Sequence, residues 1–333
     1  MTTSTSTRVE DIGLLLSSPR SGSTLLRLML AGHPRLFCPP ELNLLPFESL
    51  SRWNETLGSC VSTRCIEYDC DQREGLEQAL VELTKAARPT DADVLRDMID
   101  RNASVQETYA TLARLAAPRR LIDKSPLNAS SIQTLTRAEL IFEQPRYLHL
   151  VRDPRAVVES LARNGFDEAR TLLAVLGIEL PGGDPIAFAE QIWIRTNRSL
   201  LDFSEEVEPH RWLRVRFEDL VSDPRAAMER VATFFDVDFD ERLVQPYEGQ
   251  RMAEGLRPGI PAAGDPNILE HDGIDPSLAS GQQGADLALS PEAIALATEL
   301  GYADIQSTSA TKRRGGRWWR GIMQRACGCS DCD

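Results

Sequence analysis

The run LLLSSPRSGSTLLRLML, residues 14–30, constrains the fold more than any other stretch. A short apolar run closes on Ser-Pro, a turn of small residues follows, and apolar residues then recur at helical spacing. Ile12–Ser17 is therefore predicted as a buried strand and Ser23–Gly32 as a helix, terminated by Gly32 and Pro34. Backbone N–H groups at a helix N-terminus lack intrahelical partners, and the helix dipole adds partial positive charge there. A loop of small residues between strand and helix thus makes a cradle for a phosphate-like anion. In SSPRSGST, Gly22 lets the backbone approach closely, and Ser21, Ser23 and Thr24 offer hydroxyls. Arg20 offers a planar fork of donors, and Leu25 belongs to the first helical turn. The loop lacks the first glycine and the lysine of G-x-x-x-x-G-K-[ST]. No magnesium-binding aspartate is evident at the end of a later strand, as nucleotide-triphosphate chemistry would require.

A second unit repeats the plan. LHLVRDPRAVVESLARN, residues 148–164, reads as strand, arginine, turn and helix. Arg152 stands at the strand end, and two helical turns bring the Ser160 hydroxyl round toward the same place. Two strand-end arginines on one sheet imply a ligand with two anionic ends. Further strands are predicted at Arg120–Asp123, Arg146–Val151 and Trp212–Phe217. Helices are predicted at Pro154–Asn164, Ile186–Phe203, Pro224–Phe235 and Pro291–Leu300. Alternating strands and helices define an α/β class with a parallel sheet covered on both faces. Helical spacing over residues 73–87, 91–101 and 105–116 predicts a helical insertion. Residues 246–285 are rich in Gly and Pro, the composition of a long lid loop. The expected organisation is a flexible N-terminus over 1–10, one domain over 11–302 and a tail over 303–333.

Composition narrows the partners. A net charge of −13 argues against nucleic acid, although it permits a local basic pocket for a small anion. The N-terminal residues have no basic start followed by a long apolar run, so a cytoplasmic protein is expected. Its cysteines are then expected to be reduced. Cys60, Cys65 and Cys70 form one cluster and Cys327, Cys329 and Cys332 another. Neither holds two C-x-x-C pairs or a nearby histidine, so both read as free thiols and no metal is expected. Residues 312–325 carry six positive charges and two tryptophans in an otherwise acidic chain. Such a tail suits an acidic carrier protein or an anionic membrane surface, or is simply solvated.

The two loops resemble those of sulfotransferases that use 3′-phosphoadenosine-5′-phosphosulfate (PAPS). SSPRSGST is similar to their 5′-phosphosulfate loop, and LVRDPRAVVES to their 3′-phosphate motif. FEDLVSDPRAAMERVATFFDV, residues 217–237, resembles their late strand–helix unit. LIDKSPLN, PPELNLLPFE and GDPNILEHDGIDP further resemble the sulfotransferase domains of curacin-type polyketide synthases. One departure is Asn43, where that group's pattern leads one to expect histidine. The resemblance implies the sulfotransferase fold, a P-loop-like central parallel sheet flanked by helices, with PAPS as co-substrate and PAP as product. It also implies transfer to the β-hydroxyl of an acyl chain held on an acyl carrier protein. A free lipid or other small alcohol is an alternative acceptor, and a non-catalytic PAP-binding or carrier-docking module an alternative of another class.

Six residues carry the expected chemistry beyond the cradle. Glu41 follows Pro39-Pro40 soon after the first helix, so the chain turns back toward the ligand edge. It also matches a glutamate that acts as base in tyrosylprotein sulfotransferases. Lys124 lies just past a strand end and matches the family lysine that touches the leaving bridge. Asp123 is expected to orient Lys124, and Ser125 to assist by hydrogen bonding. His271, inside the long loop, titrates near neutral pH and is a candidate base or substrate-orienting group. Arg257 is expected to cover the 3′-phosphate, as a late basic loop does across the family.

Overall fold

The computed structural model describes residues 8–58, 72–85, 93–164, 169, 173, 184–256, 259, 261–262, 268–280, 284, 286–302 and 305. Five strands form its sheet: β1 (Ile12–Leu16), β2 (Leu36–Phe37), β3 (Arg120–Asp123), β4 (Arg146–Val151) and β5 (Trp212–Arg216). Their order is β2-β3-β1-β4-β5, and every pairing is parallel. β1 is buried along its whole length, as a central parallel strand must be when both faces are covered. Its side chains alternate between the two layers. Ile12, Leu14 and Leu16 enter one core with Trp53, Tyr109, Phe142 and Phe203. Leu15 enters the other with Leu26, Met29, Val215 and Met228.

Eleven helices surround the sheet among the described residues. They are α1 (Ser23–Ala31), α2 (Leu50–Gly58), α3 (Glu74–Thr84), α4 (Asp93–Asp100), α5 (Val105–Ala116) and α6 (Ile132–Ile141), followed by α7 (Pro154–Asn164), α8 (Pro185–Glu205), α9 (Phe217–Ser222), α10 (Pro224–Phe234) and α11 (Pro291–Glu299). Local signals account for several ends. Ser104 and Glu107 form a reciprocal capping box at α5. Asp184 caps α8 through the Ile186 N–H, with Pro185 in the first turn. Four elements escaped the sequence reading. β2 has two residues, too few to alternate. In α2, Leu50, Trp53 and Leu57 are buried at helical spacing but sit among polar residues. α6 is rich in β-branched residues, and α9 follows β5 without a break.

The topology places the ligand edge. β1 lies between β3 and β4, so the chain leaves β1 toward one side and later crosses to the other. Loops that diverge at such a switch point leave a crevice at the carboxyl ends of the strands. Among the described residues no helix is long and apolar enough to cross a membrane. The two cysteine clusters and the basic tail lie outside the described residues. Cys38 is free and buried, and burial pushes its thiol up to about 12.

Candidate active site

A cleft of about 1230 Å3, counted with its opening to solvent, occupies that crevice. Arg20, Gly22, Ser23, Thr24 and Leu25 form part of its wall, with Arg152 and Ser160 beside them. Glu41, Lys124 and His271 line it as well. Ten sequence-predicted site residues therefore meet in one cavity, although they come from five stretches of chain.

The loop after β1 takes its shape from two left-handed residues, Arg20 at φ 64° and Gly22 at φ 86°. Only glycine fits at position 22. A Cβ there would lie 2.3 Å from the Phe217 ring. Gly22 is also the N-cap of α1, no side chain caps it, and the first turn holds no acidic residue. The positive end of α1 therefore faces the cleft without a built-in counter-charge. Ser21 behaves differently from its neighbours. It is fully buried, its hydroxyl pairs with that of Ser18 at 2.8 Å, and it does not line the cleft.

The two arginine loops are tied together. Arg20 Nε donates to Ser160 Oγ at 3.1 Å, and Arg152 Nη1 donates to the Arg20 carbonyl at 3.2 Å. The Arg152 guanidinium stacks 4.3 Å above the centre of the Phe217 ring. Asp153, its chain neighbour, is instead forked by Arg155, with Nη2–Oδ2 at 2.6 Å. Burial pulls the Arg152 pKa below its usual value. A desolvated cation of this kind gains from an arriving anion.

On the facing side, Lys124 Nζ donates to Glu41 Oε1 at 2.6 Å. The Lys124 side chain is 1% exposed and that of Glu41 12%, so the pair is shielded yet borders the cavity. Asp123 does not orient Lys124, contrary to expectation. Its oxygens accept from Tyr109 Oη at 2.5 Å, Ser125 Oγ at 2.7 Å and Asn128 Nδ2 at 2.7 Å. The strand alternation explains this: Asp123 and Lys124 point to opposite faces of β3 and its continuation. Burial raises the Asp123 carboxyl above the usual carboxylate range, and its three donors work against that rise.

The Gly- and Pro-rich segment reaches the cleft by a strap. Buried Arg27 of α1 donates to the carbonyls of Arg251 at 2.9 Å and Met252 at 3.1 Å. Arg251 returns a bond to the Leu28 carbonyl at 3.0 Å. Burial brings the Arg27 pKa down to about 10. Beyond the strap, short 3-10 turns at Ile268–Glu270 and Pro276–Ser280 bring His271, Ile274 and Leu278 to the cavity. The His271 ring lies 6.3 Å from that of Tyr247. Arg257 lies outside the described residues. Sequence reasoning missed Gln72, Leu127, Phe217 and Tyr247, which also line the cleft. Of these only Phe217 had a local signal, its place at the end of a predicted strand.

The fold and cleft define an α/β protein whose ligand edge combines an anion cradle with a buried carboxylate–ammonium pair. The Sulfotransferase family matches residues 14–241, more than half of the chain, and the chain belongs to that family. It is similar to the solved "Sulfotransferase Domain from the Curacin Biosynthetic Pathway", at 36% identity and a TM-score of 0.77, covering 89% of this chain and 99% of that one. It is similar too to the sulfotransferase domain of the Synechococcus PCC 7002 olefin synthase, at 39% identity and a TM-score of 0.75, covering 90% and 98%. Protein-tyrosine sulfotransferase A of Caenorhabditis elegans is 25% identical over 68% of this chain and 50% of its own length. The chain thus spans about half the length of that curated relative.

Proposed function

We propose that the protein is a PAPS-dependent O-sulfotransferase acting on the β-hydroxyl of an acyl chain tethered to a carrier protein. The observation that carries this is the meeting, in one cleft, of the arginine-lined cradle and the Glu41–Lys124 pair at 2.6 Å. The cradle fits a donor with phosphate at one end and phosphosulfate at the other. Its helix end has no acidic residue, and Arg152 is a cation desolvated beside it. Gly22, Ser23, Thr24, Leu25 and Arg20 would hold the 5′ end, and Arg152 and Ser160 the 3′-phosphate. When bound, PAPS supplies the sulfuryl group.

The protein's own residues then have three tasks. Glu41 Oε1 takes the proton of the acceptor hydroxyl, which must replace Lys124 as its hydrogen-bond partner. Lys124 Nζ, so released, donates toward the bridge oxygen on which negative charge develops. His271 orients the acceptor from the 268–280 segment, which covers the cleft as a lid. The cleft also presents Leu127, Leu161, Ile268 and Ile274, apolar lining suited to an acyl chain. The relatives supporting a carrier-bound acceptor are the curacin and olefin synthase domains.

The test is product mass after incubation with PAPS and a β-hydroxyacyl carrier protein, beside the same acyl group as a free acid. A gain of about 80 Da, one SO3, on the carrier-bound chain alone is expected. Sulfation of the free acid with the carrier-bound form ignored would replace the acceptor with a free alcohol. Tight PAP binding without transfer to any acceptor would reduce the protein to a PAP-binding module.

A further inference from the structure

We infer that Ser125 and Gly75 are positioning residues that hold Glu41 beside Lys124, where the acceptor hydroxyl can take the place of Lys124 as its partner. The inference rests on the roles proposed above. Lys124 follows directly from β3, so the sheet fixes its main chain. Glu41 has no such support. It sits in irregular chain between β2 and α2, yet its residue is buried to 9% exposure. Trp53 Nε1 donates to the carbonyl of the next residue, Leu42, at 3.1 Å, and two further contacts shape where the main chain runs.

The first contact joins the Glu41 loop to the Lys124 loop. The Asn43 N–H, two residues after Glu41, donates to Ser125 Oγ at 2.9 Å. Ser125 Oγ passes its own hydrogen to Asp123 Oδ1 at 2.7 Å. Tyr109 and Asn128 hold the other Asp123 oxygen, so the carboxylate is an immobile acceptor. Asn43, Asp123, Ser125 and Asn128 are all fully buried. Asn43 adopts φ 52°, a conformation that Asn tolerates better than most residues, and its Nδ2 donates to the Gln72 carbonyl at 3.3 Å. Ser125 therefore bridges the two loops that carry the reacting pair.

The second contact presses from the other side. A Cβ at Gly75, in the first turn of α3, would lie 2.0 Å from the Glu41 carbonyl oxygen and 3.0 Å from its amide nitrogen. Backbone atoms cannot swing aside as a side-chain end can. Only glycine lets α3 sit this close to Glu41 itself. The same helix donates from Gln78 Nε2 to the Glu254 carbonyl at 2.6 Å, and Glu74 accepts from the Leu256 N–H. α3 is thus gripped by the strap on one side while it confines Glu41 on the other.

The experiment compares Ser125→Ala, Gly75→Ala and Ser104→Ala with the parent chain. Neither Ser125 nor Gly75 lines the cleft, so PAP affinity by calorimetry is expected to hold in both variants. Their kcat for sulfation is expected to fall about 100-fold, the cost of roughly 1 Å of misplacement, with acceptor KM little changed. Ser104→Ala removes only a helix cap, so its melting temperature drops and its kcat stays. A parent-like kcat in the folded, PAP-binding variants would overturn the inference. So would loss of cooperative melting in both, which would assign the two residues to folding alone. Crystal structures of the variants give a readout independent of turnover, with the Glu41–Lys124 separation expected to open beyond hydrogen-bond reach. An unchanged separation overturns the positioning role, whereas a parent chain that sulfates nothing would overturn the functional proposal instead.

Discussion

The two walls of the cleft are assembled in different ways. The anion wall takes Arg20 and Gly22 from the turn after β1, Ser23, Thr24 and Leu25 from the start of α1, and Arg152 and Ser160 from the unit β4–α7. Each is a strand running straight into its helix, so each carries its own geometry. The rest of the lining takes Glu41 from irregular chain, Lys124 from the end of β3 and His271 from a segment whose Ile274 and Leu278 pack in the same core cluster as Phe217. Nothing local places these three side chains together. The Glu41–Lys124 bond spans 83 residues of sequence, and the strap from Arg27 to Arg251 spans 224. The proposed anion binding and proton transfer would therefore rest on parts of different robustness: one on local turns, the other on tertiary contacts.

The sharpest way to break this comparison is at Glu41. Glu41→Gln keeps the shape of the side chain and removes its basicity, so kcat should fall about 1000-fold while PAP binding is retained. A comparable loss of PAP binding would show that the two walls are one unit. Lys124→Ala should lower kcat about 100-fold by removing charge stabilisation at the leaving bridge, measured with saturating PAPS.

Beneath the anion wall lies a buried histidine that tests the sheet itself. His149 of β4 is fully buried beside Asn197, and burial brings its pKa down to about 4. The unfolded chain binds this proton near pH 6.5, so stability is full above that value and falls as pH drops toward 4. His33, also depressed by burial, acts in the same direction. The loss from His149 alone is about 3 kcal/mol, and His149→Gln should flatten the melting-temperature profile in that window. A slope left unchanged would place the acid sensitivity elsewhere. Arg152→Ala has the smallest expected effect, about 2 kcal/mol of PAP affinity or a factor near 30, with kcat preserved at saturation. An equal fall in kcat would mean that the anion wall also positions the sulfuryl group.

Legibility in the sequence followed the same division. The two strand–turn–helix units could be read because a buried parallel strand is a continuous apolar run, and small residues must follow where a helix end meets an anion. Even there, the Ser21 hydroxyl was unreadable. Its partner, Ser18, is decided by the left-handed turn at Arg20. Across the cleft, Glu41 and Lys124 were singled out as residues, but their 2.6 Å contact was not. Asp123 was misassigned because sequence adjacency to Lys124 suggested a partnership that strand alternation forbids. Gly75 showed no signal at all, since its meaning lies in a backbone 34 positions away.

By itself, then, the sequence determined the α/β class, the central buried strand and the strand–turn–helix form of two loops. These follow from hydrophobic period and turn chemistry, both of which act over a few residues. Only the tertiary structure decided which carboxylate faces the cavity and which is locked in a hydrogen-bond network. It also decided how closely α3 approaches Glu41. Those outcomes depend on packing between segments remote in sequence, where a single Cβ or one buried hydroxyl determines whether two main chains can touch.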